Sequence, residues 1–204
     1  MVLIETKQDD VRLPRPIRDA DLPALDVAIA KAAQPYRLIF TLLRETGLRA
    51  DEVLRLNVGD VSLEPSREGL LLREAKNNRE RMVVLNPDLM KRSVRLLRST
   101  LRDLGPVDTS MPLFRSNRGT RIPYDTLYYQ WQRRCAAADL LDPDGKPRYT
   151  IHQLRHTAGT AFIRDYPEHI VSRMLGHRDP RSTRRYAAVT EDQVRAVLAA
   201  RRRR

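Results

Sequence analysis

With 204 residues, the chain is long enough for one well-buried domain, or a domain plus an arm, and short for two full domains. A formal charge of +12 and a pI near 10.5 set up a field that attracts polyanions, nucleic acid first among them, although an arginine-rich codon bias would give the same composition. The single cysteine, Cys135, excludes an intrachain disulfide and a cysteine-rich zinc site; Met1 to Glu5 reaches charge too early for a signal peptide and no apolar run approaches membrane-spanning length, so a cytoplasmic protein is expected.

Residues 1–16 are polar and carry Pro14 and Pro16, which reads as an extended arm, with order beginning near Ile17. From Asp19 to Ala33 the apolar residues Leu22, Leu25, Ile29 and Ala33 fall at helical spacing. Pro35 opens a second helix that stops at Gly47, and a short third helix follows Arg49. Leu70, Leu71 and Leu72, then the polar stretch from Lys76 to Arg79, then Met82 to Leu85, predict a β-hairpin with a basic tip. Asn86 and Pro87 make a helix start running toward Gly105. Another helix should run from Tyr124 to about Ala138, with Tyr128, Tyr129 and Trp131 as half-buried aromatics. After the turn at Asp142 to Gly145, one helix carries His152 to Arg164 and a second runs from Pro167 to Leu175, ended by Gly176. Two shorter helices follow: one holds Tyr186, and the other, near Asp192 to Ala200, has an apolar stripe of Val194, Val197 and Leu198. Arg201 to Arg204 read as a solvated tail. The sum is a mainly α fold of α+β type, helical with a small antiparallel sheet.

The densest chemical signal is His152-Gln153-Leu154-Arg155-His156, whose spacing puts two imidazoles and a guanidinium on one helical face. A phosphate is the natural partner, since guanidinium binds two of its oxygens and imidazole donates to a third or shuttles a proton. His152 and His156 also have the spacing of a zinc-protease helix, but Gln153 stands where the general-base glutamate would be and Arg155 would repel a cation. Farther on, Leu175-Gly176-His177 is followed by Thr183-Arg184-Arg185-Tyr186, and earlier Gly47-Leu48-Arg49 offers an arginine just after a glycine cap, with Glu52 three residues later.

In this order the pieces resemble the tyrosine recombinase family, also called the phage integrase family, from about Ile17 to Ala200. The family pattern is an arginine after Gly-Leu, a lysine on a β-hairpin, His-x-x-Arg, Leu-Gly-His and a tyrosine nine residues past that histidine. Here it falls on Arg49, Lys76, His152, Arg155, His177 and Tyr186. The resemblance implies a site-specific recombinase that breaks and rejoins DNA through a 3′-phosphotyrosine, needing no metal, cofactor or ATP. Arg49 and Arg155 would clamp the non-bridging oxygens, Tyr186 would attack, and Lys76 would protonate the leaving 5′-oxygen. His177 would add a hydrogen bond, and Glu52 and His156 would orient their neighbours.

It further implies double-stranded DNA as partner, a dimer to tetramer on DNA linked through the C-terminal helix, a place at the nucleoid, and scope for an accessory DNA-bending protein. Most relatives carry an N-terminal core-binding domain of roughly a hundred residues. With only residues 1–16 there, the expected organisation is an arm followed by a catalytic domain over residues 17–204. Two other readings keep the fold: a DNA-binding module without strand exchange, and a type IB topoisomerase-like nicking and closing enzyme.

Overall fold

The computed structural model describes residues 15–74, 79–176 and 191–200. Among them run α1 (Leu22–Ala30), α2 (Tyr36–Thr46), α3 (Ala50–Leu54), a 3-10 turn (Val58–Asp60), β1 (Val61–Ser62), β2 (Gly69–Glu74) and β3 (Arg79–Val84). These are followed by α4 (Lys91–Leu104), α5 (Tyr124–Ala137), α6 (Ile151–Asp165), α7 (Glu168–Leu175) and α8 (Glu191–Ala200). The mainly helical fold with a small antiparallel sheet is the expected one. Residues 1–14, Lys76, His177, Tyr186 with its helix, and the Arg201 to Arg204 tail lie outside the described residues.

The core is organised around α2. Pro35 stands at its start, where a missing N–H costs nothing, and Gly47 closes it with a left-handed φ of 68°. Between them Leu38, Ile39, Phe40, Leu42 and Leu43 are all buried, so α2 is apolar on nearly every side and must be enclosed. Helices α1, α4 and α6 pack around it. From α5, Trp131 is fully buried with its ring 5.6 Å from that of Phe40, and its indole N–H donates to the Tyr149 carbonyl at 2.7 Å. Tyr128 and Tyr129, expected to be half-buried, are instead exposed, while Trp131 is more deeply buried than expected. The chain joins the core at Ile17, which is buried and whose N–H donates to Thr157 Oγ1 on α6 at 3.0 Å.

The helix expected from Asn86 begins later. The Asn86 side chain accepts the N–H groups of Asp88 and Leu89 and holds a turn there. Helix α4 proper starts at Lys91, where the Glu45 carboxylate, projecting from α2, accepts the Ser93 N–H at 2.9 Å and so supplies the favourable negative charge at that N-terminus. The hairpin pairs Gly69 with Val84 through Glu74 with Arg79, as the sequence suggested. The two-residue strand β1, pairing Val61 with Leu70, was not anticipated, being too short to show a period.

The stripe on α8 is satisfied within the chain. Val194 and Leu198 are buried, α8 lies against β3, and Arg195 donates to the Glu68 carbonyl at 3.2 Å. Among the described residues no helix is long and apolar enough to cross a membrane.

Gly47 is the junction of three helices. A Cβ there would stand 2.6 Å from Leu175 Cδ2 and 3.2 Å from Ala158 Cβ, so both the left-handed φ and the space demand glycine. Gly47→Ala is expected to lower the unfolding free energy by about 2 kcal/mol, combining backbone strain with overpacking. Urea denaturation measures this, and a loss below about 0.5 kcal/mol would show that the junction relaxes freely.

Candidate active site

The site is assembled from helix ends. Arg49 has an extended backbone at the start of α3, with buried Leu48 before it and buried Val53 after it fixing the direction of the turn. Glu52, one turn on, reaches back: its Oε2 accepts the Arg49 N–H at 2.8 Å and its Oε1 accepts Arg49 Nη1 at 3.1 Å. The same Oε1 accepts Arg81 Nη2 from β3 at 2.8 Å. Burial pushes the Glu52 carboxyl up, but the Arg81 and Arg49 guanidiniums and the Arg49 N–H outweigh it and hold it below the usual carboxylate range.

Helix α6 begins at Thr150, where Gln153 Oε1 accepts the Thr150 N–H at 2.8 Å. Gln153 is therefore a helix-start residue, which accounts for the amide at that point in the His-Gln-Leu-Arg-His run. The three basic residues of the run share a side of α6 but not an environment. His152 is exposed, His156 is half-buried, and Arg155 is only 5% exposed. Arg155 Nη1 donates to the Gly47 carbonyl at 2.7 Å and Nη2 to the Leu175 carbonyl at 2.8 Å, tying the ends of α2 and α7 together. Burial, then the charge of Arg49, pulls the Arg155 guanidinium down to about 10, with Arg81 adding to the effect and Glu52 opposing it; the group remains cationic at neutral pH.

Arg49 and His152 line one open cleft of about 340 Å³, with Asp51 and Tyr124 among its other walls. The His152 and His156 rings meet edge to face with centroids 4.7 Å apart. Burial, then His156, Arg155 and Arg49, holds His152 below the ordinary histidine value; burial and then Arg155 do the same to His156. Uncharged imidazole at neutral pH can accept a proton, which an imidazolium cannot.

The structure thus brings Arg49, His152 and Arg155 together. Lys76, His177 and Tyr186 lie outside the described residues, although the strand after Lys76 reaches the site through Arg81 and the residue before His177, Gly176, lies against Arg81. Two side chains of the site carry no motif signal: Arg81, one of several charged residues in the hairpin, and Tyr124, which sits at the start of α5. Pro123 just before Tyr124 marks the helix start but gives no sign of which way Tyr124 faces.

A sequence model of the phage integrase family matches residues 17–193. The tyrosine recombinase XerC of Caldanaerobacter subterraneus is 31% identical over 162 residues, covering 78% of this chain and 43% of that protein. Among solved structures, XerA recombinase superposes with a TM-score of 0.65 at 25% identity, covering 95% of this chain and 65% of the other. XerH site-specific recombinase bound to difH in a pre-cleavage complex gives 0.63 at 25% identity, covering 84% of this chain and 49% of the other. The chain thus spans between 43% and 65% of the length of these proteins.

The lowered histidines set a pH dependence. Since the folded form disfavours imidazolium, the unfolded chain takes up protons first as pH falls below about 6.5, and stability falls with it until the folded form also titrates. NMR titration of the imidazole carbons should place both midpoints below that value, and His156→Ala should move His152 upward. A His152 midpoint at or above the unfolded-chain value would contradict this electrostatic picture.

Proposed function

Because this chain belongs to the phage integrase family, we propose that it is a site-specific DNA recombinase acting through a 3′-phosphotyrosine. One observation carries the reading: Arg49 and Arg81 share the carboxylate of Glu52, Arg155 stands close enough to feel all three charges, and Arg49 and His152 line a cleft whose own carboxylate is Asp51, which leaves three guanidiniums to two carboxylates. This excess of fixed positive charge suits a phosphodiester, and it strengthens its hold as charge grows on the phosphorus oxygens in the transition state.

In the proposed reaction Arg49 and Arg155 bind the non-bridging oxygens. A guanidinium has five N–H donors, so the two carbonyls already served by Arg155 do not exhaust it. The Tyr186 hydroxyl oxygen attacks phosphorus while its proton passes to uncharged His152. The bond from phosphorus to the 5′-oxygen breaks, Lys76 protonates that oxygen, and His177 donates to the phosphate. Attack by the 5′-hydroxyl of a second strand reverses the step, releasing Tyr186 and leaving a rejoined backbone without an external energy source.

Double-stranded DNA is the proposed substrate and two to four copies the proposed assembly. In that assembly α8 leaves its own β3 and docks on the same surface of a neighbour, since Val194 and Leu198 are already buried against that surface within one chain. Because the proposed DNA contacts run through guanidiniums on phosphates, affinity should fall steeply with salt. An accessory DNA-bending protein and residence at the nucleoid accompany this proposal as its cellular setting.

Two experiments test the reading. A library of nicked duplexes with randomised flanks, probed for complexes that survive detergent, should yield covalent protein on DNA that Tyr186→Phe abolishes while still binding; no adduct from the wild-type chain sinks the recombinase. Exchange between two marked copies of a recovered duplex then separates recombination from simple nicking and closing. Removal of the residues after Thr190 should abolish cooperative binding to two adjacent sites in a gel-shift titration, and unchanged cooperativity would overturn the role given to α8.

A further inference from the structure

Among the described residues of the site, Arg81 is a basic side chain that belongs to no motif and is given no step in the proposed reaction. It sits on β3 opposite Leu72, in a strand whose neighbours Arg79 and Glu80 give it the look of a solvated edge residue. Yet its side chain is only 13% exposed. Nη2 donates to Glu52 Oε1 at 2.8 Å, the same oxygen that accepts Arg49 Nη1 at 3.1 Å. The flat guanidinium also lies against the backbone of Gly176: a Cβ there would stand 2.5 Å from Cζ, 2.6 Å from Nε and 2.8 Å from Nη2. Gly176 is thus glycine for two reasons, a left-handed φ of 67° and the plane that occupies its side-chain space.

We propose that Arg81 is a positioning residue that sets Arg49 through their shared carboxylate, Glu52, while keying the strand of the Lys76 hairpin and the Gly176 turn before His177 onto one guanidinium. Three chain segments far apart in sequence meet on this group. A lysine could supply the charge but not the plane that fills the notch beside Gly176 or the fork that reaches Glu52 from it. Arg81 Nη1 is buried with no hydrogen-bond partner among the described residues, so the side chain is held where the segments need it rather than where its own donors would be best satisfied. Without Arg81, Glu52 would pair with Arg49 alone and draw its guanidinium away from the cleft.

The inference rests on the recombinase reading, and its test uses a duplex recovered as a covalent adduct of the wild-type chain, in two forms: the ordinary phosphodiester and one with a methylphosphonate at the scissile position. The methyl group removes the charge that Arg49 neutralises, so a defect passed through Arg49 shrinks on that substrate, whereas general loosening of the fold slows both alike. Arg81→Lys should bind the duplex within about threefold of wild type and cleave the phosphodiester roughly 10 to 100-fold more slowly, in the range for groups that orient a reacting residue. On the methylphosphonate the gap should nearly close. Arg81→Lys combined with Glu52→Gln should cleave no more slowly than the slower single variant, because both act along one path. Should Arg81→Lys melt below the assay temperature, Arg81→Gln carries the same comparison. Equal slowing on both substrates, or additive losses in the double variant, overturns the positioning role and leaves the recombinase reading standing; absence of any adduct from the wild-type chain overturns both.

Discussion

The fold and the site share one interaction, the pair of hydrogen bonds from Arg155 to the carbonyls of Gly47 and Leu175. Both carbonyls stand at the ends of helices that turn out of the helix at a left-handed glycine, where the last C=O groups have no partner inside their own helix and carry the negative end of its dipole. A guanidinium is suited to that place because its fork can serve two acceptors at once and it stays charged even when burial pulls it down to about 10. One side chain thereby joins α2, α6 and α7, and the same side chain is proposed to bind the scissile phosphate together with Arg49. Stability and chemistry are coupled here: a group rigidly bonded from behind need not reorganise when charge develops in front of it.

Around Arg155 the electrostatics are unbalanced. Glu52 is the carboxylate shared by Arg49 and Arg81, and its one negative charge does not neutralise two positive ones; its own ionisation is secured by those same partners. Burial first, and then the neighbouring positive charge, holds both histidines below the ordinary value and so favours their uncharged form. The result is a site that is cationic through groups unable to release a proton at neutral pH, beside an imidazole free to take one. A phosphodiester entering the cleft would meet fixed charge on one side and a proton acceptor on the other, the two things its attack by a phenol requires.

Most of this was legible in the sequence where a residue's type had one physical use. Gly47 and Gly176 marked helix ends because few other residues tolerate their φ, and the apolar runs on either side of Lys76 could form little but a hairpin. Helical spacing grouped His152, Arg155 and His156. What it could not show was depth: the same face holds an exposed imidazole and a buried guanidinium, since burial depends on where α2 and α7 end. The late start of α4 escaped notice because Glu45, forty-eight residues before Ser93, supplies the cap. Arg81 was hidden for the same reason, as its partners Glu52 and Gly176 are distant in the chain and nothing in Arg-Glu-Arg distinguishes a strand residue turned inward from one turned out.

The stripe on α8 shows how far such a pattern constrains a partner. Spacing established that Val194 and Leu198 need an apolar surface, and the structure supplies it from the same chain, against β3. Burying one such side chain contributes about 1.5 to 3 kcal/mol, so freeing both would cost about 3 to 6 kcal/mol with nothing in return from water. A helix with that attachment has little reason to leave for an unrelated surface. A second copy is different: its surface is identical, so the apolar burial that α8 gives up on its own chain is restored on the next, and what remains to be met is the entropy of bringing two chains together. DNA that holds two copies side by side removes much of that cost by raising their effective concentration. In the proposed assembly, exchange of α8 between copies would therefore be favoured on DNA and disfavoured off it, which would tie that assembly to the substrate rather than to protein concentration.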